Sequence, residues 1–426
     1  MTVIHENWLR ANASSEPPAQ AVQPAGDYTA VPSSSGHGDC HASEPSCQQL
    51  FLAFLRLGTT AFGGPSMVAY IRRRTVEQER WLTGESFDAG VALCQTIPGA
   101  TAMQMAAYVG LATRGLAGAA VSFAGFGLPA FALMLALSAL YERLHNMPAV
   151  AGALGGLQAI IVALMFNATL AFGKVSLKQW RHFLIAGLAA ALFGFGVHPL
   201  VDIGVASILG LLLNGRRTTP TPPAGETATL PHPARFLSLA LPAVAAGLLA
   251  LFLAARPYFH LAALMLRVDL FAFGGGFASV PLMFHEVVDV RHWLDGPRFM
   301  DGIVLGQVTP GPIVITSTFV GFLHLGLAGA AVATLSMFTP SFLLVVAIAP
   351  YYHRLRTSPV VSKMISGVLC SFVGMLLAVT IHFARDVAWT IPHLLLAIGA
   401  FIALLLRVDI LWVVLTGIGV SLVMLL

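Results

Sequence analysis

The sequence predicts an all-α polytopic membrane protein made of two homologous helical repeats, inverted relative to each other and containing broken helices. Composition, apolar run length and an internal duplication carry that prediction. Of 426 residues, 57% are hydrophobic and only 10% charged, with a mean hydropathy of +0.80. Soluble domains carry about 25% charged residues. Residues 116–140, 236–255 and 327–350 are uncharged throughout, and each meets the roughly 20 apolar residues that a membrane helix needs.

The duplication is read directly from the residues. Arg56 and Arg267 lie 211 positions apart, and the same offset aligns LRLGTTAFGG with LRVDLFAFGG. The heptapeptide GLAGAAV occurs at 115–121 and again at 326–332, Pro129 matches Pro340, and Tyr141 matches Tyr352. With a one-residue slip, GVALCQTIPGA (90–100) pairs with GIVLGQVTPGP (302–312). The chain therefore divides into a disordered cytoplasmic tail (1–46), a first membrane repeat (47–213), a Pro/Thr-rich linker (214–235), an unpaired connecting helix (236–255) and a second repeat (256–426). Each half shows about six apolar segments, within an expected total of about 10–13 membrane segments. Six plus the unpaired span is odd, which would insert the second repeat upside down, as in many secondary transporters. Arg72, Arg73, Arg74 and Arg80 crowd one loop, whereas its counterpart carries only Arg291 and Arg298 alongside Glu286, Asp289, Asp295 and Asp301, although Arg216 and Arg217 in the linker also favour the cytoplasm. Arginine-rich loops prefer the cytoplasm, so this asymmetry agrees with inversion.

Several function classes are disfavoured. The net charge of +4 is scattered among short loops, which reads as a topology signal rather than a nucleic-acid surface. The first residues lack the basic-then-apolar pattern of a signal peptide. Cys40, Cys47, Cys94 and Cys370 lack zinc-ligand spacing, and Cys94 and Cys370 read as packed thiols. The HGDCH run at 37–41 is a weak metal motif of the sort that low-complexity tails collect by accident. No GxxxxGK[ST], HExxH or GxSxG motif occurs, so neither ATP hydrolysis nor membrane-embedded catalysis is expected, and no metal or cofactor is called for. Transport would draw on an ion gradient or a separate ATPase.

The chemistry-bearing features are breaks in apolar helices. Phe62-Gly63-Gly64-Pro65 and Pro98-Gly99 interrupt the first repeat, while Phe273-Gly274-Gly275 and Pro310-Gly311-Pro312 interrupt the second. In lipid every backbone polar group needs a partner or a water-filled cavity, so paired breaks mark a candidate site at the interface of the halves. A proline at the first helical position would restart each helix with free N–H groups aimed at an anion. The alternative is that these glycines and prolines merely serve close packing and kinks. Arg56 and Arg267, each six residues before FGG, could meet an anionic substrate or snorkel to headgroups. Asp269 could neutralise Arg267. Gln95 and Gln307, three residues before each PG pair, could bind an oxyanion or bridge helices. Thr101, Gln104, Thr309, Thr316 and Ser317 flank the same breaks as weaker candidates. Trp81 and Trp293 read as interfacial anchors, and Glu77 and Asp289 as solvated loop charges, with proton shuttling as the alternative role for either acid. His285, His324 and His382 could titrate near neutral pH, without repeat partners.

The motifs FGGP and ALCQTIPG, followed by FAFGGG and GQVTPGP, resemble the chromate ion transporter family in its two-domain long form, from about residue 51 to the end. The resemblance implies a secondary transporter of the cell membrane, the inner membrane of a bacterium. It would export chromate on the membrane potential or proton gradient and confer chromate resistance. Its motif residues carry over to Phe62, Gly63, Gly64, Pro65, Gln95, Pro98 and Gly99, and to Phe273, Gly274, Gly275, Gln307, Pro310, Gly311 and Pro312. Expected partners are chromate or a sulfate-like oxyanion and the lipid bilayer, with a homodimer as an open assembly and no nucleic acid. Two departures bear on substrate: Ala100 stands where the family often has the second proline of PGP, and no His follows between Ser66 and Ile71. A sulfate or other oxyanion transporter is the main alternative reading; a lipid-modifying membrane enzyme would need an acid cluster that Asp202, Asp269 and Asp409 are too scattered to form.

Overall fold

A computed structural model describes residues 45–62, 66–145, 147–213, 234–352 and 358–425. The tail up to residue 44, most of the linker, and Gly63, Gly64 and Pro65 lie outside the described residues. Within them there are fifteen α-helices and no strand. In the first half these are α1 (Cys47–Thr60), α2 (Ser66–Arg72, prolonged by a π turn over Arg73–Gln78), α3 (Gly84–Thr96), α4 (Thr101–Leu144), α5 (Pro148–Ser176), α6 (Trp180–Gly194) and α7 (Pro199–Leu213). The unpaired helix is α8 (Ala234–Ala254). The second half repeats the order with α9 (Arg256–Phe271), α10 (Ser279–Phe284, prolonged by a π turn over His285–Val290), α11 (Gly296–Val308), α12 (Thr316–Ile348), α13 (Pro359–Asp386), α14 (Ile391–Leu405) and α15 (Ile410–Leu425).

The correspondence reaches individual dihedral angles. Inside α4 the chain leaves helical geometry at Arg114 (φ −136°) and Gly115 (φ 63°); inside α12 it does so at Leu325 (φ −135°) and Gly326 (φ 67°). Only glycine holds such a positive φ without penalty. The uncharged run that starts at residue 116, the third apolar segment of the first half, begins just past this kink. The helix in fact begins at Thr101, and seven helices rather than six fill each half, because α2 is apolar enough to merge with α1 in a hydropathy reading.

Five described helical segments are long and apolar enough to cross a bilayer: Thr101–Leu144, Gly152–Ser176, Ala234–Ala254, Ile313–Tyr351 and Pro359–Asp386. The 15 residues of α6 span about 22 Å, short of the roughly 30 Å hydrocarbon core. With α7 it forms a hairpin closed by Gly196 (φ 76°), whose amide donates to the Phe193 carbonyl while Val197 reaches back to Leu192. This is a Schellman ending. The α14–α15 hairpin reproduces it with Arg407 (φ 63°) in glycine's place.

These hairpins are exchanged between the halves. α6 and α7 of the first repeat pack along α13 of the second, while α14 and α15 pack along α5 of the first. Backbones come close enough at these crossings that a Cβ on Gly210 would fall 2.7 Å from the Gly367 Cα. The two halves are thus interlocked around a common core containing Phe126, Phe284, Phe299, Phe319 and Phe383.

Candidate functional site

The two PG breaks each meet the end of a helix from the other repeat, in two reciprocal crossings. The Gly99 amide, in the Pro98-Gly99 break, donates to the carbonyl of Ala272, which ends α9 just before Phe273 (2.9 Å). The Gly311 amide donates to the carbonyl of Ala61, which ends α1 just before Phe62 (3.1 Å). Both glycines hold positive φ, 120° and 125°. A Cβ on Gly99 would collide with Ser341 Oγ; one on Gly311 would fall 2.7 Å from the Ala130 Cβ, and Ala130 is the repeat counterpart of Ser341. The breaks therefore satisfy one another's polar backbone across the repeats, as burial in a membrane requires.

The second-half break runs through Gly274 (φ 94°) and Gly275 (φ 101°) into a 3-10 turn over Gly276–Ala278. Gly275 lies against the Thr101 hydroxyl at the start of α4, and Gly276 lies against Ile313. Phe273 packs on the edge of the core. Helix restarts differ from the expected geometry. Pro98 is not at a first helical position: Ala100 is the N-cap and α4 begins at Thr101. Pro310 likewise precedes the restart, and Pro312 caps a 3-10 turn over Ile313–Ile315 that leads into α12. An extra extended stretch separates each proline from its helix because the glycine between them turns left-handed.

The polar groups at the crossing are partly satisfied. Gln104 is 0% exposed; its Nε2 donates to the Pro98 carbonyl (2.5 Å), and its Oε1 makes no hydrogen bond. The Ala100 amide donates to Ser341 Oγ (2.9 Å), and the Ser341 amide donates to Asp269 Oδ2 (2.8 Å). Pro340 explains that last contact. A proline ring displaces the preceding turn and leaves nearby backbone groups to other partners. Gln307 is half-buried with its Nε2 unpartnered, whereas Gln95 is exposed. Thr309 donates to the Leu305 carbonyl, and Thr316 to that of Ile313. Ser317 is buried.

The arginines sit differently from each other. Arg56 is exposed, its carbonyl accepting from the Thr59 and Thr60 hydroxyls. Arg267 is not neutralised by Asp269. Its guanidinium lies 3.3 Å from Glu286, which also meets Arg291 at 3.3 Å and His198 at 3.1 Å. His198 opens α7, so this cluster ties the exchanged hairpin to α9 and the α10 turn. Glu286 and Asp301, read from sequence as loop charges, are 8% and 4% exposed. Asp301 accepts from the Tyr141 hydroxyl (2.8 Å) and from Gln158 (2.9 Å), both from the first repeat. Trp293 stacks on His324 with ring centroids 4.1 Å apart.

Ser341, His198 and Gln158 were not singled out in the sequence. For Ser341 a signal existed: serine replaces Ala130 at the matched position, in the half opposite the one where Ala100 replaces Pro312.

Two interlocked repeats crossing at broken membrane helices define a polytopic membrane transporter architecture. The chromate transporter family model matches twice, over residues 48–211 and 259–422. The chain belongs to the chromate transporter family and is a multi-pass membrane protein. An uncharacterised transporter of Methanocaldococcus jannaschii is 40% identical over 377 residues, 88% of this chain and 93% of that protein. The chromate transport protein of Cupriavidus metallidurans is 30% identical over 401 residues, 88% of this chain and 92% of its own. That of Pseudomonas aeruginosa is 28% identical over 422 residues, 95% and 92% of the two chains. No solved structure matches the chain significantly.

Proposed function

We propose that this protein is a secondary transporter that exports chromate through a site at the two reciprocal crossings, driven by the membrane potential or the proton gradient. The observation that carries the reading is the reciprocal pair of inter-repeat hydrogen bonds, Gly99 to Ala272 and Gly311 to Ala61. They support a single midplane site shared by both halves. Chromate is a tetrahedral, largely dianionic oxyanion near neutral pH, and it leaves water only for several fixed donors. The first amides of α4, the Thr101 hydroxyl and the unpartnered Gln307 amide are such donors. Phe62, Phe273, Gly274 and Gly275 would shape the opening, and Arg267 would draw the anion toward it. With α2, at 7 residues, too short to cross the bilayer, six helices and α8 would precede the second repeat, an odd number that would invert it, and alternating access would rock one repeat against the other.

The test is chromate accumulation in a chromate-sensitive host with and without the protein. Lower accumulation, cancelled by a protonophore, is expected. Higher accumulation would overturn export in favour of uptake. Full competition by sulfate at equal concentration would reassign the substrate to oxyanions as a class.

A further inference from the structure

Asp269 breaks the symmetry of the crossing. Its repeat counterpart is Gly58, just as the counterpart of Ser341 is Ala130. Asp269 is 0% exposed; Oδ2 accepts the Ser341 amide and Oδ1 makes no hydrogen bond. Through Ser341, whose Oγ accepts the Ala100 amide, the carboxylate is linked to the first-repeat break. It therefore abuts the break that Gln104 borders with its own unpartnered acceptor, Oε1.

An ionised carboxylate buried without a cation costs several kcal/mol, about as much as its removal from water. None of the described side chains facing Asp269 supplies one. On α9, Arg267 is held by Glu286. On α8, Arg235 is the one charged residue, near its start. α10 carries no titratable group, and beyond it His285 faces Asp289 while Glu286 faces Arg267, Arg291 and His198. α12 carries His324 alone, stacked on Trp293. On α4, Tyr108 donates to the Ser86 carbonyl, Arg114 donates to that of Pro45, and Tyr141 donates to Asp301. The remaining charges of α4, Glu142 and Arg143, lie in its last turn.

We propose that Asp269 carries a proton that travels with the substrate anion. The inference deepens the transport reading above and rests on it. Ionised, the carboxylate repels a dianion from the first-repeat break. Neutralised by one proton taken from the aqueous side, it admits the anion and can donate its O–H to an oxyanion oxygen. Proton and anion leave together on the opposite side, and the site returns once the anion has gone. A dianion and one proton carry a net single negative charge, so an inside-negative potential drives the pair outward. Asp269 is on this account a coupling residue, with Ser341 positioning it against Ala100.

The test uses the full chain in liposomes with a potassium diffusion potential, an internal pH dye and chromate absorbance. Wild-type protein is expected to move protons in the same direction as chromate and to slow as the pH rises. Asp269→Asn is expected to keep a reduced chromate exchange, to lose the proton signal per chromate by about tenfold or more, and to flatten the pH profile; Asp269→Glu is expected to retain both. Wild-type chromate flux without proton movement would overturn the proposal even if the Asn variant failed to fold. So would Asn-variant flux at the wild-type proton ratio. A wild-type protein that moves no chromate would instead overturn the transport reading itself.

Discussion

The Gly311 amide donates to the carbonyl of Ala61 at 3.1 Å, joining a break in the second repeat to the end of a helix in the first. Its mirror, Gly99 to Ala272, closes the second crossing. Both depend on residues with no Cβ, because φ is positive and the partner helix is in contact.

Gly99→Ala should therefore disable transport and lower stability by about 1–3 kcal/mol, since the methyl meets Ser341 and Gln104 at a left-handed φ of 120°. Gly187→Ala is the control: nothing beyond its chain neighbours and its own helix backbone lies within 4 Å of its Cβ position, and it sits inside α6. It should gain about 0.5–1 kcal/mol. Thermal unfolding in detergent reads both, and equal shifts in the two variants would contradict the crossing geometry.

Arg407 holds φ 63° where the first repeat has Gly196. A side chain in that conformation costs roughly 1–2 kcal/mol. Arg407→Gly should raise stability by about 0.5–1 kcal/mol without changing chromate flux. Unfolding temperature against flux, measured on one preparation, checks it.

Asp301 is buried at 4% exposure and takes both of its hydrogen bonds from the first repeat. Tyr141→Phe leaves Oδ2 unsatisfied and should cost about 1–3 kcal/mol, with substrate concentration dependence unchanged. Gln158→Leu should do the same, and the double variant should fall short of the sum, because both act on one carboxylate.

Arg267→Gln should reduce chromate transport by about tenfold or more while changing stability by no more than about 1 kcal/mol, because its ion pair with Glu286 is partly solvated. Unchanged flux would leave Arg267 a purely structural tie to the α7 hairpin.

Much of this was legible in the sequence because the duplication is nearly ungapped: GLAGAAV and the matched PG pairs set an offset that the helix ends follow. Hydropathy, however, reads apolarity rather than direction. It takes the turn at Gly115 for the start of a segment because Arg114 interrupts the apolar run there, and it carries no trace of the exchanged hairpins, whose partners are far apart in sequence. The charges were misread for a related reason. Asp269 and Arg267 are two residues apart and so point to different sides of α9, one toward Ser341 and the other toward Glu286. Glu286 and Asp301 looked like loop acids because acidic residues cluster there, yet their partners come from α9, α4 and α5.

The central claim is that chromate sits where the breaks cross. Its most direct test replaces Cys40, Cys47, Cys94 and Cys370, then introduces Thr101→Cys or Gln307→Cys singly and measures alkylation with and without chromate. Chromate should slow the modification of both cysteines, one from each repeat, with a half-effective concentration equal to the one that half-saturates transport. Full alkylation of both at saturating chromate, in protein that still transports, would place the anion elsewhere.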